Sequence, residues 1–117
     1  MAGLANALPI MQVLAIGIQI LTAYQIIKGL AERIENLGMK FGLWIEPEMT
    51  NMDSDLYRNH PDWILHVPNR NSCECRHQYV LDYSRKEVVD YIYNMLAKIF
   101  SEAKVSYIKW DMNRSIT

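Results

Sequence analysis

The sequence predicts an α/β protein built from parallel βαβ units. Three observations predict it. Three short runs, "KFGLWIE", "QYVLDY" and "VSYIKWD", have strand character; an amphipathic helical period separates the second from the third; and no hairpin turn signal joins any two of them.

The elements follow in chain order. Residues 1–27 form an apolar segment with no charged side chain before Lys28. Its core, "LPIMQVLAIGIQILTAYQII", is long enough to cross a bilayer. Gln12, Gln19, Thr22 and Gln25 interrupt it, however, and Pro9 and Gly17 weaken it as a helix, so a buried segment is expected rather than a membrane span. A basic start and a small-residue cleavage site, the marks of a secretory signal, are not evident. From Ile27, apolar residues recur at helical spacing (Ile27, Leu30, Ala31, Ile34, Leu37), and Gly38 stands where a helix C-cap belongs.

A first strand is read over Lys40–Glu46, ended by Pro47. Residues 49–75 read as loop, with a short helix at Ser54–Asn59 and a turn at "NHPD". Gln78–Tyr83 reads as the second strand. Ser84 and Glu87 match the S-x-x-E capping box, opening a helix whose apolar face is Val88, Ile92, Met95, Leu96 and Ile99. Val105–Asp111 is the third strand.

Composition narrows the function. The chain has 117 residues, 50% of them apolar, and a formal net charge of −1. Such a length supports one small domain, and the near-neutral balance argues against a nucleic-acid partner, which would call for a basic face. Cys73 and Cys75 are too close in sequence for a good disulfide, so a reduced, cytoplasmic setting is expected. Cys73, Cys75 and His77 alternate as C-x-C-x-H without an evident fourth ligand, so free thiols are expected rather than a metal site. His60 and His66 belong to no metal motif and read as structural.

Strand parity sorts the polar groups. Gly42, Trp44 and Glu46 share one face of the first strand, and Val105, Tyr107, Lys109 and Asp111 share one face of the third. Glu46, Asp82 and Asp111 then end the three strands at their carboxyl ends, where parallel α/β folds build their sites. A carboxylate often ends a strand because the next loop is solvated, so the joint pattern counts for more than any one group. Lys109, on the face of Asp111, is the expected partner that keeps it ionised. Carboxylate, ammonium, amide and aromatic surface at one mouth suit a sugar.

The segments "GMKFGLWIEPEM", "DSDLYRNHPDWILHVP", "RHQYVLDYSRKEVVDYI" and "YIKWDMNRSIT" carry a resemblance. Over Lys28–Thr117 the chain resembles the catalytic domain of family-36 glycoside hydrolases, the bacterial-type α-galactosidases. The resemblance implies part of a (β/α)8 TIM barrel, about three of its eight strands. It also implies hydrolysis of terminal α-linked galactose, with retention, from oligosaccharides of the melibiose and raffinose type. By matching motifs Asp111 takes the nucleophile position, while Trp44, Arg76, Lys109, Trp110, Met112 and Asn113 fall on positions that contact the galactosyl unit. No metal or organic cofactor is implied; bacterial members are commonly intracellular and often homo-tetrameric. Arg76 precedes its strand, so its carry-over needs the preceding loop to arch over the mouth.

The chain also departs from the family. A complete barrel takes roughly 250 residues. The family's acid/base aspartate lies on a later strand, beyond Thr117, and the acidic and aromatic residues expected upstream of Lys28 are missing. The expectations are thus an apolar segment at 1–27 and a partial catalytic domain at 28–117, as in a truncated or frame-shifted product, inactive alone and prone to self-association through open edges. Two rival readings stand beside hydrolysis: galactosyl transfer by a related enzyme, and a non-catalytic remnant that only self-associates.

Overall fold

A computed structural model of the chain describes residues 20–75 and 77–112. Helix α1 spans Ile20–Asn36. It begins seven residues before the helical period is first legible at Ile27, so residues 20–27 are helical. Tyr24, Ile27 and Ala31 are buried at helical spacing; Ile27 and Ala31 cluster with Phe41 and Ala103, and Ile34 and Val105 pack against that cluster. The helix ends in a Schellman-type cap: Met39 N–H bonds Ile34 O at 3.3 Å and Gly38 N–H bonds Glu35 O at 2.8 Å. Gly38 sits at φ +79°, a left-handed conformation that costs glycine little.

Strand β1, Gly42–Ile45, follows. The chain then turns at Pro47 and pairs again as β2, Met49–Asn51. Helix α2, Asp55–Asn59, is capped by buried Ser54, whose Oγ accepts the Tyr57 N–H at 3.1 Å. A 3-10 turn at Pro61–Trp63 buries Trp63. His60 stacks on that ring at 3.8 Å, a structural role as expected for it, and Tyr91 meets the ring edge-on.

Strand β3, Gln78–Val80, is followed by helix α3, Lys86–Glu102, and strand β4, Tyr107–Trp110. α3 buries Val88, Ile92, Leu96 and Ile99, the face its period predicts. The first three pack with Ile45, Trp63 and Leu81 into one core cluster. Each such aliphatic contributes roughly 1.5–3 kcal/mol on burial.

Two pairings organise the strands, and they correct the sequence reading. β1 lies directly beside β4, parallel, in the register Gly42↔Tyr107 to Ile45↔Trp110. Backbone bonds from Ser106 N–H to Phe41 O and from Asp111 N–H to Ile45 O extend the ladder at both ends. α3 therefore precedes the second strand of a βαβ unit, as expected. β3 is not a third parallel strand. It pairs antiparallel with β2, a segment read as loop, and Leu81 bridges Ile64 on its other side. Before β3, Cys75 and Gln78 exchange both backbone bonds, and His77 adopts φ +60°. Three-residue strands paired across some 27 positions leave no local period to read.

The capping box is also corrected. α3 is preceded by Arg85, with no side-chain cap. Ser84 is engaged elsewhere: its Oγ–H and N–H both donate to Asp82 Oδ1, at 2.6 and 3.0 Å. An Asx turn competes for the serine and wins.

Candidate active site

The chemistry-bearing residues stand on the β1–β4 pair. In a parallel ladder, partners in register project to the same side. Trp44 is the partner of Lys109, and Ile45 of Trp110. Trp44, Lys109 and Asp111 therefore share one face, while Ile45 and Trp110 share the other. Lys109 and Asp111 are on one side of their ribbon.

Asp111 is held from several directions. Its backbone N–H bonds Ile45 O at 2.9 Å. The Trp44 indole donates from Nε1 to Oδ2 at 3.0 Å, and the Met112 backbone N–H donates to Oδ1 at 3.1 Å. Trp44, Asp111 and Met112 are all half-buried, and Lys109 is exposed. Among the described residues no ion pair joins Lys109 to Asp111. The cross-strand hydrogen-bond donor to this carboxylate is the indole, a role not assigned to it from sequence because a tryptophan in a strand reads first as a ring.

The other face carries a second tryptophan. Trp110 projects away from Asp111, is 47% exposed, and donates from Nε1 to Glu48 Oε1 at 2.9 Å. Its ring lines an apolar groove of about 470 Å³ with Tyr83, Ile92, Tyr93, Leu96 and Phe100. Tyr83 O–H donates to Pro47 O at 2.8 Å, tying the turn after β1 to the segment before α3. Burial first, then the Glu48 carboxylate, push the Tyr83 phenol up, so it stays a donor across the ordinary pH range. Sequence reasoning assigned nothing to Glu48, whose partner lies 62 residues away.

The remaining predicted groups fall as follows. Asp82 organises the turn before α3 through Ser84. Glu46 follows β1 at its carboxyl end, half-buried, with its own interactions. Arg76 and Asn113 lie outside the described residues. Cys73 and Cys75 are exposed and not joined in a disulfide, and His77 Nδ1 lies 3.2 Å from Glu74. Among the described residues no three His, Cys, Asp or Glu side chains are grouped to hold a metal ion, and no helix is long and apolar enough to cross a membrane.

The site so built is a carboxylate at the carboxyl end of a parallel strand pair, oriented by two N–H donors, with an ammonium on its face. Such a group can attack an electrophilic carbon or accept a hydroxyl proton.

Comparison with known proteins gives four findings. The family profile described as Melibiase matches residues 19–117. The alpha-galactosidase AgaA of Geobacillus stearothermophilus is 55% identical over 89 residues, 76% of this chain and 12% of that protein. The alpha-galactosidase Mel36A of Lactobacillus acidophilus is 52% identical over 87 residues, 74% of this chain and 12% of its own length. Among solved structures, an AgaA variant crystallised with raffinose superposes with a TM-score of 0.74 at 54% identity, covering 78% of this chain and 13% of that one. The chain thus spans about an eighth of the length of the curated relatives it matches.

Proposed function

The chain belongs to the melibiase family, and from that premise we propose that it carries the nucleophile-bearing part of a retaining α-galactosidase. The substrates are oligosaccharides of the raffinose type, the sugar held by an AgaA variant in its crystal. One observation carries the reading: Asp111 stands at the carboxyl end of a parallel strand pair with both carboxylate oxygens engaged by N–H donors.

The chemistry follows. A carboxylate oxygen of Asp111 attacks the anomeric carbon through an oxocarbenium-like transition state. The bond to the glycosidic oxygen breaks, and that oxygen takes a proton from a second carboxyl group, which the family resemblance puts beyond Thr117. Water, deprotonated by that second group, then attacks the same carbon and releases Asp111. Two displacements retain the configuration. Lys109, Met112 and the Trp44 ring are the described residues beside the sugar, with Arg76 and Asn113 completing the contacts. Trp110, on the opposite face, supports the strand rather than the substrate.

The surrounding architecture we read as a segment of a (β/α)8 barrel, with residues 28–117 in the catalytic domain and the first turns of α1, from Ile20, packed into it. Exposed apolar groups support this. Ile26 and Leu30 of α1, Val89 and Tyr93 of α3, and Tyr107 and Ile108 of β4 are more than a third exposed, the kind of surface that neighbouring units of a barrel cover. Homo-tetrameric assembly and a cytoplasmic site of action go with the same reading.

A chimaera tests it. Residues 28–117 replace the matching segment of full-length AgaA, and the product is assayed on an activated aryl α-galactoside. Turnover is expected, and Asp111→Ala is expected to lower kcat on the order of 10⁴-fold or more, as loss of a covalent nucleophile does. Turnover that survives Asp111→Ala unchanged refutes the assignment.

A further inference from the structure

We propose that Trp44 is a positioning residue that acts through Asp111, its indole N–H fixing the rotation of the attacking carboxylate. This rests on Asp111 being the nucleophile, as proposed above.

The argument begins with the torsion that must be fixed. The last side-chain torsion of an aspartate is broad and roughly two-fold, so packing alone leaves the carboxylate free to swing. Displacement at a carbon needs one oxygen aimed along the bond being broken, and a misplacement of an ångström is felt in rate. Two donors on different oxygens remove that freedom. Met112 N–H supplies one, to Oδ1, from the adjacent residue. Trp44 Nε1 supplies the other, to Oδ2, from the neighbouring strand.

The indole suits this role better than the ammonium beside it. It is a donor only, with a single N–H in a fixed direction. Lys109, exposed on a flexible stem, can approach either oxygen and follows solvent. The placement of Trp44 is itself rigid. It lies in register with Lys109, and the Asp111 N–H to Ile45 O bond locks the two strand ends together at the next residue. Ile45, on the opposite face, is 1% exposed in the main core cluster, so the strand that presents Trp44 is anchored from behind.

The role separates from that of a ring against the sugar. A stacking wall contributes to ground-state and transition-state binding alike, so its loss raises KM. Orientation of the nucleophile is needed only as the bond forms, so its loss lowers kcat. Trp44→Phe keeps an aromatic ring and removes the donor.

In the AgaA chimaera, Trp44→Phe is expected to lower kcat about 10- to 100-fold, the loss of one hydrogen bond to a charged group, with KM within about threefold. A kcat equal to that of the parent chimaera, with or without a raised KM, overturns the positioning role. The nucleophile reading is scored separately by Asp111→Ala. If that variant is dead while Trp44→Phe keeps full kcat, only the positioning role falls; if it turns over, the reading beneath falls too. Should Trp44→Phe fail to fold, the indole resonances of the 117-residue chain, labelled with nitrogen-15, give a second measure. The Nε1–H signal of Trp44 is expected to shift upfield in Asp111→Ala, while those of Trp63 and Trp110 stay in place. An unmoved Trp44 signal overturns the contact.

Discussion

Ile45 is the residue through which the core reaches the site, and truncating it measures that connection. Its side chain is 1% exposed, and it packs in one cluster with Trp63, Leu81, Val88, Ile92 and Leu96. Ile45→Ala removes three carbons from this environment. At about 0.8 kcal/mol for each, the transfer loss is about 2.4 kcal/mol. A partly collapsed cavity adds to it, bringing the total to about 3–4 kcal/mol. Ile108 on the adjacent strand is the control. It is the same residue type in the same ladder, but 37% exposed and outside the main cluster. Ile108→Ala is expected to cost about 1 kcal/mol. The assay is urea unfolding of the 117-residue chain followed by tryptophan fluorescence. With a slope of about 1 kcal/mol per molar, Ile45→Ala lowers the midpoint by about 3–4 M and Ile108→Ala by about 1 M. Equal shifts for the two variants would refute the reasoning that seating in the main cluster, rather than a place in the ladder, sets the cost.

Two further outcomes follow from the structure. Asp82→Ala is expected to destabilise the chain by about 1–2 kcal/mol in the same assay, because the Ser84 donors lose their acceptor, whereas Asp82→Asn, which keeps Oδ1, recovers most of it. The Tyr24 phenol, buried and bonded to the Glu102 carboxylate, is pushed from 10.0 up to about 12, burial first and Glu102 second. The folded chain therefore holds this proton in a range where the unfolded chain has released it. Its contribution to stability is complete below pH 10 and falls as the pH rises to about 12. Thermal unfolding of Tyr24→Phe across that interval should show a shallower alkaline decline than the parent chain.

What was legible in the sequence follows from the range of the interactions. The buried face of α3 was legible because Val88, Ile92, Leu96 and Ile99 recur at a period one helix imposes on itself. Gly38 was legible because a left-handed residue after a helix is a local need. The shared face of Trp44, Lys109 and Asp111 was legible once parity was applied to two strands. The β2–β3 pair was not, since Met49–Asn51 finds its partner across the whole of α2 and the turns that follow. Motif and structure disagreed at Ser84, where a helix cap and an Asx turn compete for one serine and a four-residue pattern cannot rank them. The two indole bonds, Trp44 to Asp111 and Trp110 to Glu48, join residues 67 and 62 positions apart. Such bonds depend on how strands are brought together, which no single run of sequence states.

The division of labour across β1 and β4 explains why a small apolar cluster matters to chemistry on the far side of the sheet. Parity sends Leu43 and Ile45 to the helices and Trp44 to the site, so the same backbone serves both. Sliding β4 by one residue would turn Asp111 toward α3 and Trp110 toward the site, exchanging a carboxylate for a ring. Two backbone bonds oppose that slip, Ser106 N–H to Phe41 O at one end and Asp111 N–H to Ile45 O at the other. They hold only while Phe41 and Ile45 stay seated in their clusters, under α1 and α3 respectively. The orientation of the Asp111 carboxylate is thus maintained by burial energy drawn from side chains on the opposite face of the strand pair.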